Sequence, residues 1–108
     1  MVKRLPLRWS RKALDGLDAG LSYVAQFNPD AAHQLQASIL NALEHVREFP
    51  QAARVVPEEG DPLIREVLRS PFRIMYEIHP RELRILVVRR MERAPVERED
   101  LASLPPED

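Results

Sequence analysis

The sequence predicts an α+β domain in which a helical hairpin packs on one face of a small, mainly antiparallel sheet. Two stretches in the first half repeat apolar residues at helical spacing, and three in the second half have the residue pattern of strands. The breaks between those three stretches are too short for a parallel crossover, which needs about a dozen residues. The predicted order is therefore β-α-α-β-β-β, in a chain of 108 residues that is long enough for one core.

A first strand is predicted at Lys3–Trp9, where apolar residues recur at every second position. Pro6 cannot donate a ladder hydrogen bond and so indicates an edge position. Trp9 is expected to pack where this strand enters the core. Ser10 follows it and has a side chain suited to cap a helix.

The first helix is predicted directly after this cap, because apolar residues recur at helical spacing, namely Ala13, Leu14, Leu17, Leu21, Val24 and Ala25. Gly16 and Gly20 lower helix propensity but permit the close approach of a neighbouring element. The segment Asn28–Asp30 ends this helix and starts the next, since proline suits a first helical turn and Asp30 can cap it.

The second helix has the clearest apolar stripe in the chain, formed by Ala32, Leu35, Ile39, Ala42, Leu43 and Val46. Phe49 and Pro50 are predicted to end it. Residues 51–62 follow as a predicted loop, which contains Arg54.

Three strands are predicted at Leu63–Arg69, Phe72–Ile78 and Leu83–Arg90, each of which carries arginines among apolar residues. Because side chains alternate along a strand, each run is expected to send its apolar residues to one face and its guanidinium groups to the other. A sheet face that carries arginines can bind phosphates or carboxylates.

Composition narrows the class of protein. Hydrophobic residues make up 44% and charged residues 31%, as in ordinary globular domains, and the chain has no cysteine for a disulfide or a thiolate site. No apolar run is long enough to span a bilayer, and the N-terminus lacks the apolar stretch of a signal peptide. The sequence therefore predicts a soluble, cytoplasmic protein that has no membrane partner, cofactor or metal.

The charge is divided unevenly along the chain. Residues 1–91 carry 14 Lys and Arg against 11 Asp and Glu, whereas residues 92–108 carry 2 against 6. A mildly basic body with an acidic tail is much less basic than domains that bind nucleic acid through its phosphates. This charge balance favours a protein over RNA or DNA as the binding partner.

Several short motifs together resemble the ParE/RelE superfamily of bacterial toxins. The resemblance spans about residues 3–93. It is carried by Trp9-Ser10-x-x-Ala13, Asn28-Pro29-x-Ala31-Ala32, Phe49-Pro50, Arg54, Ile64-Arg65-Glu66, Phe72-Arg73-Ile74-Met75-Tyr76 and Ile85-Leu86-Val87-Val88.

The resemblance implies the toxin of a type II toxin–antitoxin pair, neutralised by a cognate antitoxin with which it forms a hetero-oligomer. The toxin domain is then expected to span residues 1–93 and to precede an acidic, proline-containing tail at residues 94–108, with at most a short helical turn near Glu97–Leu104. RelE-like members of the superfamily cleave messenger RNA on the ribosome. ParE-like members are associated with inhibition of DNA gyrase and lack the nuclease residues.

RNA cleavage through the 2′-hydroxyl requires a base, an acid and cations around the transition state. Many relatives end the last strand with a histidine, and the corresponding position here is Arg90, which cannot exchange protons near neutral pH. We therefore expect a gyrase inhibitor without enzymatic activity. The alternatives are a ribosome-dependent mRNA endoribonuclease, with His79 or Glu77 as its proton-transfer candidates, and a catalytically inert module that only binds an antitoxin.

Under this interpretation, the residues expected to bind the target or the antitoxin, or the transition state of a nuclease, are Arg65, Arg73, Arg89 and Arg90. For Arg65 and Arg73 two structural alternatives stay open, namely salt bridges to Glu66 or Glu77, or simple exposure to solvent on a face of the sheet.

Other polar and aromatic residues are given structural roles. Arg54 is expected to anchor its loop through backbone carbonyls, and Tyr76 to pack in the core. His79 is expected to be exposed at a turn. His33 and His45 project roughly 120° apart on one helix and cannot form a joint metal site there.

Overall fold

The computed structural model describes residues 3–91, and the predicted order of elements is confirmed with one addition. The elements are β1 (Leu7–Trp9), α1 (Arg11–Phe27), α2 (Pro29–Glu48), β2 (Arg54–Val55), β3 (Ile64–Arg69), β4 (Phe72–Ile78) and β5 (Leu83–Arg90). The addition is β2, a two-residue strand inside the predicted loop 51–62. The predicted tail at residues 94–108, with its helical turn near Glu97–Leu104, lies outside the described residues.

The five strands form one sheet in the order β1-β5-β4-β3-β2. Only the β1–β5 pair in this sheet is parallel, and the other three pairs are antiparallel, so the predicted mainly antiparallel sheet is confirmed. The first strand lies at an edge, as Pro6 indicated. It begins at Leu7 rather than at Lys3, because the Leu5 backbone bonds to Arg47 at the end of α2 instead of to the sheet.

Local side-chain caps explain where the helices begin. The Ser10 hydroxyl accepts a hydrogen bond from the Ala13 N–H at 2.9 Å and donates one to the Leu86 carbonyl at 2.8 Å, which joins α1 to β5. Asn28 ends α1 and caps α2 by accepting from the Ala31 N–H at 3.0 Å. The prediction of Asp30 as this cap was wrong; Asp30 lies inside the first turn, where its negative charge suits the helix dipole.

The core lies between the helices and one face of the sheet. Most of the predicted α2 stripe is buried, namely Ala32, Ile39, Ala42, Leu43 and Val46. Trp9 packs against this core, as expected. Leu14 does not take part in it, with 47% of its surface exposed.

Two glycines allow α1 to approach the sheet closely, as the sequence predicted. A β-carbon at Gly16 would collide with the Val88 carbonyl oxygen, and one at Gly20 would lie 2.5 Å from the Phe72 ring. Neither helix in the described part of the chain has the length and apolar character needed to cross a membrane.

Candidate functional site

Strand pairing places the arginines on two different faces of the sheet. Residues directly opposite each other on neighbouring strands share a face. Arg65 is opposite the buried Tyr76, and Arg90 is opposite the buried Phe72, so both arginines lie on the side that faces the helices. The expectation that the arginines share the face away from the apolar residues is therefore wrong for these two.

The second group of arginines lies on the opposite side of the sheet. Arg73 is opposite Arg89, and Arg54 is opposite Glu66. We call this side the helix-distal face, defined by Arg54, Glu66, Arg73 and Arg89. The four predicted binding arginines thus do not converge on a single site.

Arg65 anchors a loop through backbone carbonyls, which is the role predicted for Arg54. Its guanidinium donates to the carbonyl oxygens of Pro62, Gln51 and Ala53 at 2.7, 3.1 and 3.0 Å. These bonds hold the segment after α2 against β3. Any role of Arg65 in binding a partner stays a prediction.

Arg90 lies over an aromatic ring of the first helix. Its guanidinium carbon is 4.8 Å from the centre of the Tyr23 ring, within the range of a cation–π interaction. Tyr23 also packs edge-on against Phe27, which is 73% exposed. Arg90 therefore helps to fasten α1 to the end of β5.

The helix-distal face carries a chain of four charged residues. Glu66 is fully buried, and its two carboxylate oxygens accept from Arg54 Nε at 2.6 Å and from Arg73 Nε at 2.8 Å. Arg73 also donates to both oxygens of Glu58 at 2.8 and 2.9 Å. Two positive and two negative groups thus alternate, in the order Arg54, Glu66, Arg73 and Glu58.

These contacts shift the pKa values of the outer pair in opposite directions. Hydrogen bonds from Arg73 lower the pKa of Glu58 to about 2. Hydrogen bonds from Glu58, opposed by partial burial, raise the pKa of Arg73. Both groups are therefore charged near neutral pH. The structural alternative for Arg73, pairing with Glu66, is realised, and Arg54 is anchored by a carboxylate rather than by carbonyls.

Arg89 lies directly opposite Arg73 on the same face and is exposed. Among residues 3–91, no carboxylate lies within ion-pair distance of its guanidinium. Like charges at opposite positions repel each other, and the pairing of Arg73 with two carboxylates reduces this effect. Arg89 can thus reach an external anion, and its binding role stays a prediction.

The two proton-transfer candidates are not part of this network. His79 Nε2 is 2.8 Å from Glu77 Oε1, and His79 is half-buried, so its expected exposure was wrong. Along the extended chain, Glu77 lies four positions and His79 six positions from Arg73, which amounts to about 13 and 20 Å. His33 and His45 are both exposed on α2. Within the described residues, no three metal-binding side chains come together.

Tyr76 is a core residue, as predicted. Its ring is fully buried, and its hydroxyl donates to the Pro50 carbonyl at 2.5 Å. Burial raises the pKa of Tyr76 to about 12. These contacts tie the end of α2 to the centre of the sheet.

Glu58 was not among the predicted site residues, although it is bonded to Arg73, 15 positions later in the chain. The only signal was a pair of acidic residues, Glu58 and Glu59, in a loop ahead of arginine-bearing strands. That pattern fits a solvated turn equally well, because nothing in it specifies which way the loop folds.

Comparison with known proteins agrees with this architecture. The family model described as the ParE toxin of the type II toxin–antitoxin system parDE matches residues 7–95. A solved structure titled "Chromosomal ParDE TA system from P. aeruginosa" aligns with a TM-score of 0.66 and 25% sequence identity, over 82% of this chain and 98% of that chain. No curated protein sequence matches the chain.

Proposed function

The chain belongs to the ParE toxin family of type II toxin–antitoxin systems, and on that premise we propose that it inhibits DNA gyrase by binding, without catalysing a reaction. In this proposal a cognate antitoxin neutralises it in a hetero-oligomer. The toxin domain spans residues 1–93, and residues 94–108 form an acidic tail. The family match, which ends at residue 95, supports this division.

The observation that carries the non-catalytic proposal is the division of the arginines between two faces. A nuclease needs cations and a proton-transfer group around one phosphate. Here Arg65 is held by three carbonyls, Arg90 lies over Tyr23, and Arg73 is held by two carboxylates. In the His79–Glu77 pair, Glu77 is about 13 Å and His79 about 20 Å from Arg73 along the strand direction. This arrangement favours binding over RNA cleavage.

Paired assays test the proposal. We expect the purified protein to block supercoiling of relaxed plasmid by gyrase, and expression without an antitoxin to arrest growth. Gyrase that stays active at micromolar excess of the protein would contradict the proposed target. Cuts in translated messenger RNA within the ribosomal A site would instead support the nuclease alternative, and the absence of all three effects would indicate an inert binding module.

A further inference from the structure

The Arg73 guanidinium contacts a different carboxylate on each of two sides, Glu66 on one and Glu58 on the other. Its Nε and Nη2 hold Glu66 at 2.8 and 2.7 Å, and its Nη1 and Nη2 hold Glu58 at 2.8 and 2.9 Å. The second contact is the parallel, two-bond geometry in which arginine recognises carboxylates most specifically. The outer side of this guanidinium is therefore already shaped and oriented for a carboxylate.

The two partners of Arg73 differ in how easily they can leave. The Glu66 side chain is completely buried in β3 and is also held by Arg54. The Glu58 side chain is 59% exposed and belongs to a turn between β2 and β3. Since an exposed ion pair is weak, another carboxylate can replace Glu58 while Glu66 keeps the guanidinium in position.

Charge and shape next to Glu58 also suit an incoming acidic group. If Glu58 leaves, Arg54 and Arg73 face only Glu66, which leaves one uncompensated positive charge. A cavity of about 270 Å³ is already present at this place with Glu58 bound, and it is lined by Arg54, Glu58, Leu68, Arg73 and Met91. Its apolar side chains offer contact to a hydrophobic neighbour of the incoming carboxylate.

We propose that Arg73 is a receptor for an Asp or Glu side chain of an acidic peptide segment in a protein partner, and that Glu58 occupies this receptor in the free protein as an internal competitor. The choice of a protein partner rests on the proposed function. The receptor itself rests on the geometry of the Arg54–Glu66–Arg73 network.

A direct test measures peptide binding by the Glu58→Gln variant. The probe is the peptide acetyl-Leu-Glu-Glu-Leu-amide, titrated against isotope-labelled protein while the signals of the Arg73 Nη groups, which form the contact with Glu58, are followed by NMR. Because removal of the competitor frees the guanidinium, we expect the variant to bind the peptide about three- to fivefold more tightly than the unmodified protein. The matched control is Glu59→Gln, which changes the exposed neighbouring carboxylate and should leave the affinity unchanged.

Further controls test whether the carboxylate and the guanidinium are both needed. A peptide with Gln in place of both Glu residues should not bind. The double variant Glu58→Gln, Arg73→Lys should lose binding, because lysine cannot form the two-bond contact. Equal affinities of the Glu58 and Glu59 variants would overturn the proposal, as would tighter binding of inorganic phosphate than of the peptide. If the unmodified protein inhibits gyrase while the peptide fails to bind, only the receptor is refuted and the proposed function stands.

Discussion

At the scale of single residues, Glu66 is the charged side chain on which the helix-distal face depends. It is 1% exposed and holds two guanidinium groups. A buried carboxylate without partners would be costly, whereas one held by two arginines is tolerated and fixes their positions. Glu66 therefore acts on the site by positioning Arg54 and Arg73.

Replacement of Glu66 by alanine should destabilise the fold, because it leaves the largely buried Arg73 with only its exposed partner. We expect a loss of about 3 kcal/mol in the free energy of unfolding, at the lower end of the range for a broken buried pair, because Glu58 remains. Urea denaturation measures this loss. Glu59→Ala is the control and should change stability by less than about 0.5 kcal/mol; similar losses in the two variants would contradict the role of Glu66.

Acid should release Glu58 from Arg73. The pKa of Glu58 is lowered from 4.5 to about 2 by hydrogen bonds from Arg73. A carboxyl group whose pKa is lower in the folded state stabilises the fold at pH values above its pKa in the unfolded chain. This stabilisation is lost as the pH falls through the pKa of the folded state. The chemical shifts of the Arg73 Nη groups, which donate to Glu58, should therefore stay constant down to pH 4.5 and change as the pH approaches 2. A transition centred near pH 4.5, or one that persists in Glu58→Gln, would refute the contact.

Alkaline conditions should weaken the fold through Tyr76, whose pKa is raised by burial from 10 to about 12. A raised tyrosine pKa means that the unfolded chain loses its proton first, so stability falls as the pH rises from about 10 to 12. Tyr76→Phe should lose about 1 kcal/mol at neutral pH, through the missing bond to Pro50, and should show a smaller further loss above pH 10. Thermal unfolding of both proteins at pH 7 and 11 checks these two expectations. If Tyr76→Phe lost as much stability between pH 7 and 11 as the unmodified protein, the alkaline loss would belong to other groups.

At the scale of elements, close packing between α1 and the sheet should outweigh helix propensity. Gly16→Ala would gain up to about 1 kcal/mol in helix propensity, but its β-carbon would collide with the Val88 carbonyl oxygen, which belongs to the backbone and cannot rotate away. We expect a net destabilisation of about 1–3 kcal/mol by urea denaturation. Ser22→Ala on the exposed side of α1 is the control, with an expected gain of about 0.5 kcal/mol. A stabilised Gly16→Ala variant would show that α1 lies farther from β5.

The elements were predictable wherever the determining interactions are local. Ser10 and the apolar stripe of α2 are recognisable in the sequence, because caps and helical faces depend on residues within a few positions. Strand β4 also alternates, with Arg73 and Glu77 on one face and Phe72 and Tyr76 on the other. Met75, which is buried on the face of the charged residues, is the exception.

The faces of the neighbouring strands could not be assigned in the same way. In β3 each face mixes apolar and charged residues, so alternation alone does not say which face is buried. In β5 the register shifts opposite Met75 and Tyr76, which leaves Leu86 as an extra residue and exchanges the two faces beyond it. The site depends on these long-range pairings, and the sequence pattern did not contain them.

At the scale of the whole molecule, the fold uses most of the candidate arginines for its own stability. Arg65 holds the segment that follows α2, and Arg90 lies against Tyr23 on α1. Arg73 is partly available, because one of its two partners is exposed. Arg89 is exposed beside it on the helix-distal face. A protein partner is therefore expected to meet the molecule on this face, at Arg73 and Arg89.

The neighbouring residues Arg89 and Arg90 provide a matched test of that expectation, because they lie on opposite faces of one strand. Arg89→Ala should leave the free energy of unfolding unchanged and weaken gyrase inhibition about tenfold, through the loss of a charged hydrogen bond to the target. Arg90→Ala should keep its inhibition and lose about 0.5–1 kcal/mol of stability, because the contact with Tyr23 is removed. Urea denaturation and supercoiling assays on both variants separate the two effects. If Arg90→Ala abolished inhibition while Arg89→Ala did not, the interacting surface would lie on the helix side, and the helix-distal face would lose its proposed role.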